Sequence, residues 1–407
     1  MLKFFQKKAP SSIMNPTESF GYLKANDLYF DSACQTLRPT EVITAETAYY
    51  KQNNACGGRV KYKWGQQVDA QIQEARKNIL KFLDKSEKDY TVVFTLNTTY
   101  GINLILQQLP AENFDQIIVS DIEHNSVFLP SMSWAKKNSK KRHVIARQIN
   151  GSLKLEKDML ERSIVLVNTT SNIDGRELEN AETLAKEIHA QSGIFLIDAA
   201  QTFSHHPEKL RSIDFDAAFC SAHKFYSPSL GFIIIKKSLI QKIVPFFIGG
   251  GTVTDVRENE YDLIKDEHEI YAPLELGLQN FAGIIGLKKA LEWYQNFKPE
   301  GQNREEHQRK LGEKLYTGLK AIPEIQLVNH KASAIITFHT KKIDAHRLAY
   351  FLSEQGIMAR SGYFCCHYYL KNKLQLPPLI RLSIGLHNTE EHIEKVITTI
   401  SRILKNL

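Results

Sequence analysis

Two apolar runs in this chain end in groups that can do chemistry together. Ile194–Ile197 closes on Asp198, and a second run ends in Ser221-Ala222-His223-Lys224, with Gly231–Lys236 following almost at once. An acid closing one buried strand and a lysine just beyond another reach the same edge of a sheet. That is the edge where open α/β sheets bind ligands. A lysine held there among apolar residues can lose its proton and act as a nucleophile. A carboxylate beside it can keep a pyridine nitrogen protonated. These are the two groups that pyridoxal phosphate (PLP) requires. Singly, each has a plainer reading, because strand-end acids mostly cap turns and lysines after strands are mostly solvated. The pair, 26 positions apart with a strand-forming run after each, favours the cofactor reading.

Other stretches offer compatible groups. Asn97-Thr98-Thr99-Tyr100-Gly101 falls where a strand meets a helix, so its N–H groups and hydroxyls can cap the helix or bind a phosphate. His124, in Ser120-Asp121-Ile122-Glu123-His124-Asn125-Ser126, follows another strand. An imidazole there titrates in a useful range and has a flat face for stacking. Cys365, Cys366 and His367 adjoin Arg360. Adjacent ligands point apart and no second ligand pair appears, so a metal site is not expected. Arg381 lies in Ile380-Arg381-Leu382-Ser383, and its planar fork suits a carboxylate.

The pattern of elements fits this placement. From Thr91 to Asp198, apolar runs of strand length alternate with helical periodicities. This specifies a mostly parallel sheet covered on both faces. Pro130 should interrupt the helix over Ser126–Lys137, and a long helix is expected from about Leu276 to Phe297. Beyond it the alternation is lost and a smaller α+β unit follows. We therefore expect an N-terminal arm over 1–24 packing on the small domain, a large domain over 25–290 and a small domain over 291–407. Asn53–Gly65 reads as an irregular loop, of a length that tends to be functional.

Composition narrows the class. The 407 residues exceed what one core usually supports, so two domains are the default. Lys and Arg exceed Asp and Glu by 52 − 45 = 7, spread along the chain without basic–aromatic interleaving, which gives nucleic-acid binding little support. Five cysteines without a C-x-x-C pair do not make a disulfide framework or a zinc site, and a reducing, cytoplasmic setting fits best. No apolar run is long enough to span a membrane. The basic, acid-poor first seventeen residues have an organelle-targeting reading, but a packing arm is preferred.

Asp198-Ala199-Ala200-Gln201 with Ser221-Ala222-His223-Lys224 resembles the signature of class V PLP enzymes, and within them the cysteine desulfurases and selenocysteine lyases of the second type. The resemblance runs from Tyr29–Ala33 to the final helix. It implies an α/β, fold-type I PLP-dependent transferase, with a large domain carrying the mostly parallel sheet and a smaller α+β C-terminal domain. Lys224 would hold PLP as a Schiff base, Asp198 would pair with its ring nitrogen, and Gln201 would bond its phenolic oxygen. Thr98, Thr99, Ser221 and His223 would bind the phosphate. His124 would stack on the ring and move protons, and Asn172 would lie near the phenolic oxygen and the substrate. Arg360-Ser361-Gly362-Tyr363-Phe364-Cys365 matches R-x-G-x-x-C, whose cysteine takes sulfur from the substrate. Cys366 competes for that role by one position. Arg360 and His367 would supply thiolate-stabilising charge, and Arg381 would clamp the substrate carboxylate.

The implied reaction converts L-cysteine to L-alanine and leaves a persulfide on Cys365 for an acceptor protein, in a homodimer. The alternatives are transamination, epimerisation or selenocysteine cleavage on the same scaffold, or an inactive partner protein. Three departures stand out. Tyr363-Phe364 replaces the usual histidines, and Ser227-Pro228-Ser229 replaces a glycine-bearing loop. Leu278 stands where a threonine usually reaches the neighbouring subunit's phosphate. Arg59 matches a position that approaches the active site in relatives.

Overall fold

The computed structural model describes residues 16–57, 60–266 and 269–407; the first fifteen residues of the arm and Arg59 lie outside them. A short helix α1 (Pro16–Ser19), a two-residue strand β1 (Leu28–Tyr29) and helices α2 (Thr40–Gln52) and α3 (Lys63–Phe82) come first. The alternation then runs β2 (Tyr90–Thr95), α4 (Thr98–Gln108), β3 (Gln116–Ser120), α5 (Asn125–Lys137), β4 (Lys141–Ile145) and β5 (Ser163–Asn168). It continues with α6 (Ala181–Ala190), β6 (Ile194–Asp198), α7 (Thr202–His205), β7 (Ala217–Ser221) and β8 (Gly231–Lys236). One turn, α8 (Lys237–Ile240), and a hairpin of β9 (Val253–Val256) and β10 (Tyr261–Leu263) lead to α9 (Phe281–Asn296). The remainder is α10 (Arg304–Lys320), β11 (Ile325–Leu327), β12 (Ile335–Thr340), α11 (Ala345–Ser353), β13 (Ile357–Met358), β14 (Arg360–Gly362), β15 (Leu379–Ser383) and α12 (Glu390–Lys405).

Seven strands form the main sheet in the order β2-β8-β7-β6-β5-β3-β4. Only β8 runs against the rest, antiparallel to both β2 and β7. Every residue of β2, β5, β6 and β7 is buried, as expected for strands covered on both faces. One apolar cluster packs Phe195, Ile197, Phe203 and Phe232 with α3 and α9. A second, on the other face, packs Ile102, Trp134, Leu196 and Phe219 with α4 and α5. All parallel strands present their carboxyl ends at one edge, and the loops leaving that edge build the site.

A third cluster forms around β12 and β15 with α10, α11 and α12. Leu28 and Phe30 belong to it, and β1 pairs in parallel with β13. Leu28 and Phe30, which the sequence pattern assigned to the large domain, thus pack with the second unit. We propose a division that follows the clusters, near the end of α9. The described part of the arm lies at the junction: Phe20 packs edge-on against Trp293 and also against His387.

Two helix expectations are corrected. Pro130 does not interrupt α5, because its buried face (Val127, Phe128, Pro130, Trp134) outweighs one missing hydrogen bond early in the helix. The long helix begins at Phe281, capped by Asn280, whose side chain accepts from the Gly283 N–H. Glu275, at the start of the expected helix, is instead drawn to the open edge of β2. The Glu275 carboxylate accepts from the Phe94 backbone N–H at 2.6 Å and pairs with both Arg76 amino groups at 2.7 and 2.6 Å. The guanidinium lies 3.6 Å from the Tyr271 ring centre and 4.6 Å from that of Phe94. Removing one partner leaves a buried charge and an exposed strand edge, so Glu275→Ala should cost about 3–5 kcal/mol in denaturant unfolding. A loss below about 1 kcal/mol would mean that something else holds this edge.

Candidate active site

Asp198 ends β6, Ser221 ends the neighbouring β7, and Lys224 closes the single 3₁₀ turn that follows. The burial that creates the site also tunes it. Burial pushes the Asp198 carboxyl up, against the opposing pull of Lys224 and the Ala200 N–H, which donates to Oδ1 at 3.0 Å. Burial pulls the Lys224 amine down, against Asp198. A deprotonated amine is the nucleophilic form of lysine.

The start of α4 faces the same edge. Asn97 caps the helix by accepting from the Tyr100 N–H at 2.9 Å. The Thr98 hydroxyl meets that of Ser221 at 2.7 Å, and the Thr99 hydroxyl meets that of Ser126 at 2.7 Å. Hydroxyls at a helix N-terminus form a natural oxyanion cradle. Gly231 lets the two strands close on it, since a Cβ there would lie 2.5 Å from the Asn97 backbone. His124 caps α5, accepting from the Ser126 N–H at 3.0 Å through Nδ1. Burial first, and then Lys224, Arg381, Arg360 and His367, pull its pKa down to about 3. His124 is therefore a neutral, oriented ring.

Below it lies a polar network that sequence reading did not single out. Glu123 is fully buried, accepts from the Ser120 hydroxyl at 2.5 Å, and takes both the backbone and side-chain N–H groups of Asn168 at 2.8 Å. Arg147 lies 3.6 Å from its carboxylate. Glu123 stands between a strand-end serine and the cavity floor, which its place beside His124 could have signalled.

The second unit closes the cavity. Tyr363-Phe364-Cys365-Cys366 forms a tight turn in which the Cys366 N–H donates to the Tyr363 carbonyl at 2.8 Å. Phe364 and Cys365 both adopt left-handed backbone, at φ 48° and 58°. Such turns prefer Asn or Gly, so the conformation is held from outside. Asn172 donates to the Phe364 carbonyl at 2.8 Å, and the Asn125 N–H donates to the Cys365 carbonyl at 2.7 Å. The turn separates the two cysteines. Cys365 lines the cavity. Cys366 is fully buried, its thiol donates to Asn172 Oδ1 at 3.0 Å, and burial drives its pKa up. Asn172 thus spends its amide on the cysteine turn, a role that the sequence did not suggest.

Arg381 is fully buried; it donates to the Asn172 carbonyl and to Asp31 Oδ1, each at 3.0 Å, and leaves Nε without a partner. Arg360 lies directly opposite it across the β14–β15 pairing. Its close contact is with the Sγ of Cys34, a residue that sequence reading passed over. One cavity of about 540 Å³ is lined by Lys224, Asp198, Gln201, Asn172 and His124, by Thr98, Thr99, Ser221 and His223, and by Cys365, Arg360, Arg381 and Cys34. PLP fits this set. Gln201 gives its amide N–H to the Ala33 carbonyl at 2.7 Å, which leaves its buried Oε1 without a donor. His223 Nδ1 is also buried and unpartnered. A phenolic hydroxyl and a phosphate are groups that such atoms await.

With this geometry in place, comparison with known proteins defines the class. The class-V aminotransferase family matches residues 28–396, and the chain belongs to it. Among similar chains, a probable cysteine desulfurase of Methanothermobacter thermautotrophicus is 30% identical over 393 residues, which covers 94% of this chain and 96% of that protein. A probable cysteine desulfurase of Haemophilus influenzae is 31% identical over 405 residues, covering 96% and 90%. The apo structure of the cysteine desulfurase from Thermococcus onnurineus superposes with a TM-score of 0.84 at 27% identity, over 94% of this chain and 95% of that one. Fold class and family thus agree with the sequence reading. Among the described residues, no helix is long and apolar enough to cross a membrane.

The buried histidines set a pH dependence. Burial holds His124 and His205 at about 3 and His223 and His387 at about 4, against an ordinary value of 6.5. Between the folded and unfolded values the unfolded chain binds more protons, so stability rises with pH there and is lost as pH falls below about 6.5. Glu123, pushed up to about 7 by burial, works the other way: its contribution is lost as pH rises through that value. Burial raises Asp198 in the same sense, and four histidines outweigh these two carboxyls. The Tm of cofactor-free protein should climb from about pH 4.5 to 6.5 and then level off. A flat or falling profile across that window would contradict the burial argument.

Proposed function

We propose that this protein is a cysteine desulfurase: it converts L-cysteine to L-alanine and keeps the sulfur as a persulfide on Cys365. The observation that carries this reading is the left-handed turn that aims Cys365 into the cavity of Lys224 and Asp198 while it buries Cys366. A scaffold built only for transamination has no need of a strained turn that presents a thiol.

In this reading Lys224 holds PLP and Asp198 keeps its ring nitrogen charged. Thr98, Thr99, Ser221 and His223 take its phosphate, and Gln201 its phenolic side. When bound, PLP draws electrons from the α-carbon of an amino acid and so loosens the bonds to its neighbours. His124, neutral and fixed by Ser126, covers the ring face and accepts or returns protons. Arg381 and Arg360 face the substrate carboxylate, with Arg381 already oriented by Asp31 and Asn172. The Cys365 thiolate attacks the substrate sulfur. Cysteine and the enzyme thiol become alanine and Cys365–S–SH, so atoms and electrons balance without an external oxidant. Its place at the cavity wall, partly exposed, suits delivery of that sulfur to an acceptor protein in the cytoplasm.

Incubation with cysteine should yield alanine and a persulfidated peptide containing Cys365. Cys365→Ser should abolish both products and keep the absorbance band of the Lys224-bound cofactor, whereas Cys366→Ser should retain turnover. The opposite pattern would move the nucleophile by one residue, and alanine formation undiminished in Cys365→Ser would end the persulfide scheme.

A homodimer also fits. Val244, Phe246 and Leu278 are 63%, 69% and 74% exposed, and the Gly277 N–H ties their two segments together through the Gly250 carbonyl at 2.7 Å. Leu278 would meet the second copy as an apolar contact and not as a phosphate ligand. Sedimentation should give twice the chain mass, and Leu278→Asp should shift it toward monomer; a monomeric parent protein would refute this.

A further inference from the structure

The cavity contains a thiol that the reaction above does not use. Cys34 lies in the segment 31–36, which is pinned from both sides. The Ala33 N–H donates to the Ser383 hydroxyl at 2.8 Å, and the Ala33 carbonyl accepts from Gln201 at 2.7 Å. The Thr36 N–H donates to the His223 carbonyl at 3.0 Å. Cys34 is thereby fixed between the cofactor-binding elements and the arginine pair, partly exposed to the cavity.

Arg360 and Arg381 are direct cross-strand partners, so their side chains share one face of the small sheet. Like charges directly opposite each other repel. Each guanidinium therefore calls for an anion. Arg381 has Asp31 at 3.0 Å. Arg360 makes no ion pair with a carboxylate among the described residues, and its contact is the Cys34 sulfur. We propose that the Cys34 sulfur is the resident partner of Arg360, and that the incoming substrate carboxylate must displace it. This rests on the desulfurase reading only for the identity of the substrate; the Arg360–Cys34 pair stands apart from it. Cys34 is a positioning residue: it holds Arg360 oriented before substrate arrives, and it competes for the same cation.

Two measurements on the full-length holoenzyme test this. In the first, iodoacetamide is applied at neutral pH and alkylation is mapped by mass. The thiolate attacks the methylene carbon and iodide leaves, so the rate follows the thiolate fraction at each cysteine. Arg360→Gln should slow alkylation of Cys34 by roughly tenfold and leave exposed Cys56 unchanged. An unchanged Cys34 rate in Arg360→Gln would overturn the pairing. In the second, Cys34→Ala removes the competing partner, so KM for cysteine should fall several-fold. A KM that stays the same or rises would overturn the competitor role. Cys34→Ser, which retains size but not the sulfur, should match Cys34→Ala; a serine variant that behaves like the parent would reduce Cys34 to a packing residue. If no variant, nor the parent, turns over cysteine, the desulfurase reading fails while the alkylation result still decides the pair.

Discussion

The constraint on which this structure depends is the burial of opposite charges at the carboxyl ends of adjacent parallel strands. Asp198 and Lys224 lie where β6 and β7 stop, and neither could be held there by an isolated strand. Desolvation pushes both toward neutrality, and each offsets part of the other's penalty. The sheet must therefore be covered on both faces, and the ends of its strands must open on a cavity that water does not freely fill. The two apolar clusters supply the first condition. The second unit supplies the other, by laying the cysteine turn and the β14–β15 arginines over the open edge.

Most of the first condition is legible in the sequence. Apolar runs such as Ser163–Asn168 and Ile194–Asp198 are long enough for strands and too short for helices, and they recur with helical periodicities between them. Their polar end residues then mark one edge of a parallel sheet. Thr98, Ser221 and Lys224 follow from that logic alone. Boundaries that depend on local pattern hold to within a few residues. Those that depend on tertiary demand do not: Pro130 stays helical because its face is buried, and Leu276–Gln279 is not helical because Glu275 is drawn off to satisfy the Phe94 N–H.

What the sequence hides is pairing between distant segments. Nothing in YFDSAC announces that Cys34 will meet an arginine 326 positions later. Nothing in Tyr363–Cys366 announces that an aromatic residue and a cysteine will both adopt left-handed backbone, because that turn is imposed by Asn172 and Asn125 from the other unit. In the sequence, only the R-x-G-x-x-C spacing prefers Cys365 to Cys366. The turn separates them, by sending one thiol into the cavity and sealing the other against an amide oxygen.

This division of labour explains how one scaffold carries several chemistries. The cofactor groups sit on strand ends and helix starts of the large sheet, where positions are fixed by many buried contacts and change little. In the proposed reading, the groups that choose the reaction come from strained or irregular segments: the turn at Phe364–Cys365 and the pinned stretch around Cys34. Each is held by a few hydrogen bonds that a single substitution could redirect. The replacement of polar residues by Tyr363 and Phe364 illustrates the point. Phe364 places its ring 5.0 Å from the Arg381 guanidinium, so this buried cation is steadied by an aromatic face as the turn is steadied by burial. In the proposed reading, substrate choice is thus a property of how the second unit folds over the strand ends of the large sheet.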